Sequence, residues 1–153
     1  MRFSMRAGAI LLLAVLGSFG CECETPAPEV FSVPHPALSL AEFQSYVKTG
    51  QAPVLDARDE QGYRAGHVPG ALHLPPGGNF FNDYRRLGKI LACHKNKLVI
   101  VYCDSQWCER ADDLQMQLIA QGFQHVARFP GGWAEWQQAG LPVEKDSYSN
   151  SIK

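Results

Sequence analysis

Neither sign of charge dominates this chain: 14 Lys and Arg stand against 15 Asp and Glu, a formal net charge of −1 over 153 residues. Binding nucleic acid regardless of sequence takes a basic excess that displaces counterions from phosphates, so no nucleic-acid partner is expected. Five cysteines are too few to frame a disulfide-built mini-protein of this length, yet more than a cytosolic protein usually carries without a reason. Long apolar runs are missing. A membrane-spanning helix needs roughly 20 predominantly apolar residues, and the stretch Ala7 to Leu16 meets Cys21, Glu22 and Glu24 before reaching that length. No internal repeat marks an array, and nothing marks a second domain. What remains, 46% hydrophobic, 19% charged and 10% aromatic, is the composition of one ordinary folded domain.

Residues 1–20 follow the plan of an export signal, with Arg2 and Arg6 at a basic start, an apolar core, and small Gly17, Ser18 and Gly20 at its end. Cleavage there removes both arginines and takes the net charge from −1 to −3. Two processing readings meet at this boundary. Gly20-Cys21 resembles the lipobox of bacterial lipoproteins, which implies lipid on Cys21 and anchoring to a membrane facing the periplasm. Ser18-Phe19-Gly20 equally suits ordinary cleavage and release into the periplasm. Residues 21–36, carrying Pro26, Pro28, Pro34 and Pro36, read as a stiff extended linker. The folded domain is expected over 37–146, with 147–153 as a tail.

From Ala37 onward short apolar strands alternate with helical segments, the rhythm of an α/β fold with a parallel sheet covered on both faces. Ser39 followed by Glu42 is a capping box opening a helix to Gly50. Strands are expected at 53–56, 71–74, 97–102 and 125–129. Helices are expected at 59–65, 80–94, 108–121 and 133–138, with Ala111, Leu114, Leu118 and Ile119 facing inward on the third of these. The run Leu98-Val99-Ile100-Val101-Tyr102 is apolar enough to lie at the centre of the sheet, buried on both sides.

Cys103 follows that strand directly, with a helix beginning a few residues later. In open α/β sheets ligands bind beyond the carboxyl ends of the strands. A thiol placed there faces converging backbone N–H groups and the positive end of a helix dipole, and both favour the nucleophilic thiolate. A small buried core residue is the commoner fate of a free cysteine, but polar Asp104, Ser105 and Gln106 beside it favour a reactive role.

A family resemblance now becomes visible. Val54-Leu55-Asp56-Ala57-Arg58, followed by Tyr63 and Gly66-His67-Val68-Pro69-Gly70-Ala71, resembles the N-terminal signature of rhodanese domains. Val99 to Cys103 resembles the strand that carries their catalytic cysteine, and Gly122-Phe123, Pro130-Gly131-Gly132-Trp133 and Gly140-Leu141-Pro142-Val143 resemble their closing segments. The likeness runs from about Ala37 to Glu144. It implies a rhodanese-like fold, a central parallel sheet of about five short strands with helices on both faces. It also implies a sulfurtransferase, in which Cys103 takes a sulfane sulfur from a donor such as thiosulfate and yields it from a persulfide. The acceptor is a small thiophile or a protein thiol, and neither a cofactor nor a metal is called for.

Under that resemblance the backbone of Asp104, Ser105, Gln106, Trp107 and Cys108 supplies the N–H ring that a persulfide anion needs. Asp56 and Arg58 brace the loop or the adjacent turn by charge-assisted hydrogen bonds, and a plain structural ion pair is the competing reading. His67 stabilises its turn. Trp107 walls a pocket if the loop folds as in the family, and Phe80-Phe81 form a second wall or simply start a helix. One departure stands out. The usual Cys-x4-Arg loop is here Cys103-x6-Arg110, lacks the common internal glycine, and contains a second cysteine. The Cys-x5-Arg spacing of a related phosphatase architecture is absent, which disfavours phosphate hydrolysis. Cys103-x4-Cys108 leaves open a thiol-redox or sulfur-carrier protein, provided the two Cα atoms come within about 7 Å; otherwise Cys108 packs inward. A non-catalytic binding module on the same fold is the third alternative. Cys93 reads as a bystander.

Overall fold

A computed structural model describes residues 37–145. The export signal, Cys21, the linker and the C-terminal tail lie outside the described residues. Ten elements follow in chain order: α1 (Leu40–Thr49), β1 (Val54–Asp56), α2 (Glu60–Ala65), β2 (Leu72–His73), α3 (Phe80–Arg86), α4 (Gly88–Ala92), β3 (Leu98–Tyr102), α5 (Arg110–Ala120), β4 (His125–Phe129) and α6 (Gly132–Gln138). The strands form one sheet in the order β2-β1-β3-β4, every neighbour parallel. Four strands stand where about five are expected. The difference lies at the β4 edge, where the chain adds only a single bridge between Ala37 and Arg128.

Local chemistry accounts for the elements. Ser39 and Glu42 form the reciprocal capping box, and Gly50, at φ +64°, takes the left-handed conformation that ends α1. β3 is central because its side chains alternate between two apolar layers. Val99 and Val101 pack with Phe80, Leu91, Leu114 and Leu118 beneath α3, α4 and α5. Ile100 and Tyr102 pack with Phe43, Phe129 and Trp136 beneath α1 and α6. Helices therefore cover both faces. Among the described residues no helix is long and apolar enough to cross a membrane.

Some details depart from the sequence pattern. The segment 80–94 is not one helix: the chain breaks at Leu87, with Gly88 opening α4, because glycine weakens a helix interior. α5 begins at Arg110 rather than Cys108, which leaves a longer loop after β3. Ile119 stays 44% exposed while Ala111, Leu114 and Leu118 are buried, since the inward stripe of α5 is narrower than the run of apolar residues. Phe80 is buried and Phe81 exposed, so the pair starts a helix and walls no site.

Candidate active site at the end of the central strand

β1 and β3 lie side by side with Asp56 opposite Tyr102, so their carboxyl ends bring Asp56, Arg58 and Cys103 to one place. Cys103 is 1% exposed. The chain then turns through Asp104 and Ser105, and the Cys108 N–H donates to the Ser105 carbonyl at 3.1 Å. That closure brings the Cα atoms of Cys103 and Cys108 to 6.1 Å, and a disulfide joins them. Cys108 is thus neither a simple core residue nor a donor to an anion ring in this state, its N–H being spent on Ser105. Cys93, half-buried at the end of α4, is also disulfide-bonded and not a bystander thiol, so all three cysteines among the described residues are oxidised.

Beneath the loop lies a buried charge network. The Arg58 guanidinium donates through Nε and Nη2 to both Asp56 carboxylate oxygens at 2.7–3.1 Å, and through Nη2 to the Gly66 carbonyl at 2.7 Å. The Tyr102 hydroxyl donates to Asp56 Oδ2 at 2.5 Å and accepts from the Val68 N–H at 3.2 Å. Burial pushes the Tyr102 phenol far above its ordinary range, the Asp56 charge and hydrogen bond adding to the shift. Burial alone would depress Arg58, but its hydrogen bond to Asp56 and the charges around it leave it raised. Arg58 also lies 4.6 Å over the Trp133 ring, and its Nη1 is 4.0 Å from Asp104 Oδ1. Asp104 Oδ2 is in turn 4.0 Å from Cys103 Sγ. Asp56 and Arg58 thus form a buried ion pair tied to Tyr102 and to the adjacent turn at Gly66, and only the 4.0 Å approach of Arg58 to Asp104 reaches the loop. His67, buried against the Tyr63 ring and carbonyl, holds the neighbouring turn as expected.

The arginine that grips the loop is not the one its spacing suggests. Arg110 is half exposed, and its Nη1 pairs with Asp59 Oδ2 at 3.3 Å, away from Cys103. The Gly62 N–H, and then Arg110, hold the Asp59 carboxyl below its ordinary range. Arg128 on β4 does the gripping: its Nη2 donates to the carbonyls of Gln106 at 3.1 Å and Cys108 at 3.2 Å, while Nη1 binds Asp112. A charged residue inside the apolar run of β4 was the available signal. Trp107 is 84% exposed and walls no pocket, because the loop turns its tip outward. A concavity of about 400 Å³, lined in part by Asp59, His73, Arg86 and Arg110, lies on the Arg110 side and does not reach Cys103. Donor atoms of Cys103, Asp104 and Cys108 lie within 4.8 Å of one another. That cluster could hold a metal only once the disulfide is reduced, since thiolates are the metal-binding form.

A family model described as a rhodanese-like domain matches residues 39–139. This chain belongs to the rhodanese-like domain family. It is 29% identical over 119 residues to an HTH-type transcriptional regulator of Mycobacterium tuberculosis, covering 78% of this chain and 49% of that one. It is 31% identical over 125 residues to a sulfur carrier protein of Thermus thermophilus, covering 65% and 43%. The chain thus spans about half the length of these curated relatives. Among solved structures, the thiosulfate sulfurtransferase of Pseudomonas aeruginosa superposes with a TM-score of 0.57 at 26% identity, covering 72% of this chain and 20% of that one. A Bacillus halodurans protein does so with a TM-score of 0.59 at 26% identity, covering 71% and 76%.

In this rhodanese-like domain a second contact fixes the loop. The Trp133 N–H donates to the Cys103 carbonyl at 2.8 Å, and the Ala134 N–H to that of Asp104 at 2.9 Å. Gly132 makes that approach possible: its φ is +60°, and a Cβ there would lie 2.5 Å from the Cys103 carbonyl oxygen. Gly132→Ala is therefore expected to cost about 2–4 kcal/mol, from left-handed strain and strained or lost hydrogen bonds, and to displace the loop. Urea denaturation with a parallel sulfur-transfer assay checks both effects.

Proposed function

We propose that the chain is a sulfurtransferase in which Cys103 takes a sulfane sulfur from a small donor such as thiosulfate and gives it, from a persulfide, to a thiophilic acceptor. One observation carries the reading: a cysteine ends the central strand at the carboxyl edge of the sheet, under a loop fastened by Arg128 and by the backbone of Trp133 and Ala134. The family match and the sulfur carrier and sulfurtransferase among its relatives support it. In the loading step the Cys103 thiolate attacks the outer sulfur of thiosulfate, an S–S bond forms as another breaks, and sulfite leaves with the electron pair. Sulfur moves as a two-electron electrophile between thiolates, so the step requires no cofactor. Export through residues 1–20, with release or with lipid on Cys21, places this chemistry in a periplasm, where disulfides persist.

The disulfide occupies the nucleophile, so activity depends on reduction. Protein prepared without reductant is expected to make thiocyanate from thiosulfate and cyanide on the order of tenfold more slowly, or worse, than protein first treated with a dithiol that is then removed. Equal rates before and after reduction would exclude Cys103 as the working thiol. Failure of the reduced protein to form thiocyanate at all would count against the thiosulfate assignment.

A further inference from the structure

We infer that Cys108 is a resolving cysteine, which discharges the Cys103 persulfide as sulfide and makes the domain a dithiol-driven sulfane-sulfur reductase. The inference rests on the transferase reading above and adds a second half-reaction to it. Three observations carry it together. The Sγ atoms of Cys103 and Cys108 are already within bonding reach, with Cα atoms 6.1 Å apart, inside the range a disulfide requires. Cys108 is held in that position at both backbone atoms, its N–H on the Ser105 carbonyl and its own carbonyl on Arg128. The two residues also differ in exposure, Cys103 being 1% exposed and Cys108 half-buried beside the outward-facing Trp107.

The chemistry balances without an outside oxidant. The Cys108 sulfur attacks the inner sulfur of the persulfide, Cys103 Sγ; the bond to the outer sulfur breaks, and that sulfur leaves with the electron pair and the Cys108 proton as HS⁻. The sulfane sulfur is reduced to sulfide and the two cysteines are oxidised to the disulfide seen in the structure. Resetting takes a dithiol. Its thiolate attacks Sγ of Cys108, the more exposed residue of the pair, and Cys103 leaves as the thiolate. The second thiol of the reductant then displaces Cys108 as a free thiol and closes its own disulfide. Over the cycle thiosulfate and one dithiol give sulfite, sulfide and one disulfide.

The test is a single turnover. Wild-type protein is reduced, freed of reductant under anaerobic conditions and mixed with thiosulfate alone. It is expected to release sulfite and about one equivalent of sulfide, to lose two hydrogens across Cys103 and Cys108, and then to stop until a dithiol is added. Cys108→Ser is expected to release sulfite without sulfide and to keep the extra sulfur on Cys103. Wild-type protein that releases sulfite but holds a stable persulfide and frees no sulfide overturns the resolving role and leaves the transferase reading standing. Wild-type protein that releases no sulfite overturns both. The wild-type stoichiometry decides the matter even if Cys108→Ser fails to fold.

Discussion

Cys103→Ser is expected to lower the rate of thiocyanate formation by roughly 10³-fold or more, to the uncatalysed background. The size of the effect follows from what the reaction asks of the residue. The nucleophile must be an anion near neutral pH, must attack a soft sulfur, and must then hold that sulfur in a bond labile enough to be given up. A serine hydroxyl stays protonated and forms no such adduct, whereas a thiolate at the end of β3 meets each demand. The fold has little reason to collapse. Serine is close to cysteine in size, and Cys103 is one member of a buried layer that also holds Leu55, Val101, Ala111 and Leu114. A matched thermal-unfolding curve therefore separates lost chemistry from lost structure. Substantial activity in a well-folded Cys103→Ser protein would move the reaction to another residue.

Arg58→Ala is expected to destabilise the domain by about 3–5 kcal/mol, read as a fall in the urea midpoint. Arg58 and Asp56 are 2% and 0% exposed, and their pairing keeps a carboxylate inside the core. Removing the guanidinium leaves that carboxylate with the Tyr102 hydroxyl and the residue 58 N–H, which stabilise it without neutralising it. The Gly66 carbonyl loses its donor as well. Lysine does not restore the site, since a single ammonium cannot span both Asp56 oxygens and Gly66 as the planar fork does. Coupling between the partners gives a second check. On an Arg58→Met background, Asp56→Asn should cost much less than it does alone, because the buried charge it removes is no longer paired. A loss of less than about 1 kcal/mol for Arg58→Ala would mean that the network contributes little.

How far the sequence discloses this molecule depends on the range of the interaction involved. β3 is legible because a short apolar run bounded by polar residues suits a strand buried on both faces of a sheet, and its four residues from Val99 to Tyr102 are buried. The capping box of α1 is legible because Ser39 and Glu42 are three residues apart and satisfy each other. Cys103 is legible as the residue that ends such a strand. Arg128 is not, and the reason is physical. It reaches the loop because β4 runs parallel to β3 with Val101 opposite Arg128, a register that no local spacing encodes. Counting back along the helix from Gly122 selects Arg110 instead, which the start of α5 turns toward Asp59. Trp107 failed as a pocket wall for a related reason. The loop is closed by a disulfide and by contacts from two distant segments, so its outward tip is set by tertiary structure. The break at Leu87 and the exposure of Ile119 show the same limit at smaller scale, where periodicity continues past the surface it can cover.

The central claim is that Cys103 itself carries the sulfur, and peptide mapping by mass spectrometry tests it most directly. Reduced Cys108→Ser protein, in which a persulfide on Cys103 has lost the neighbouring Cys108 thiol, is exposed to thiosulfate, freed of excess donor and digested. The account predicts one added sulfur on the peptide containing Cys103 and on no other peptide. Added sulfur on a different cysteine, or thiocyanate formation while Cys103 stays unmodified, would contradict it.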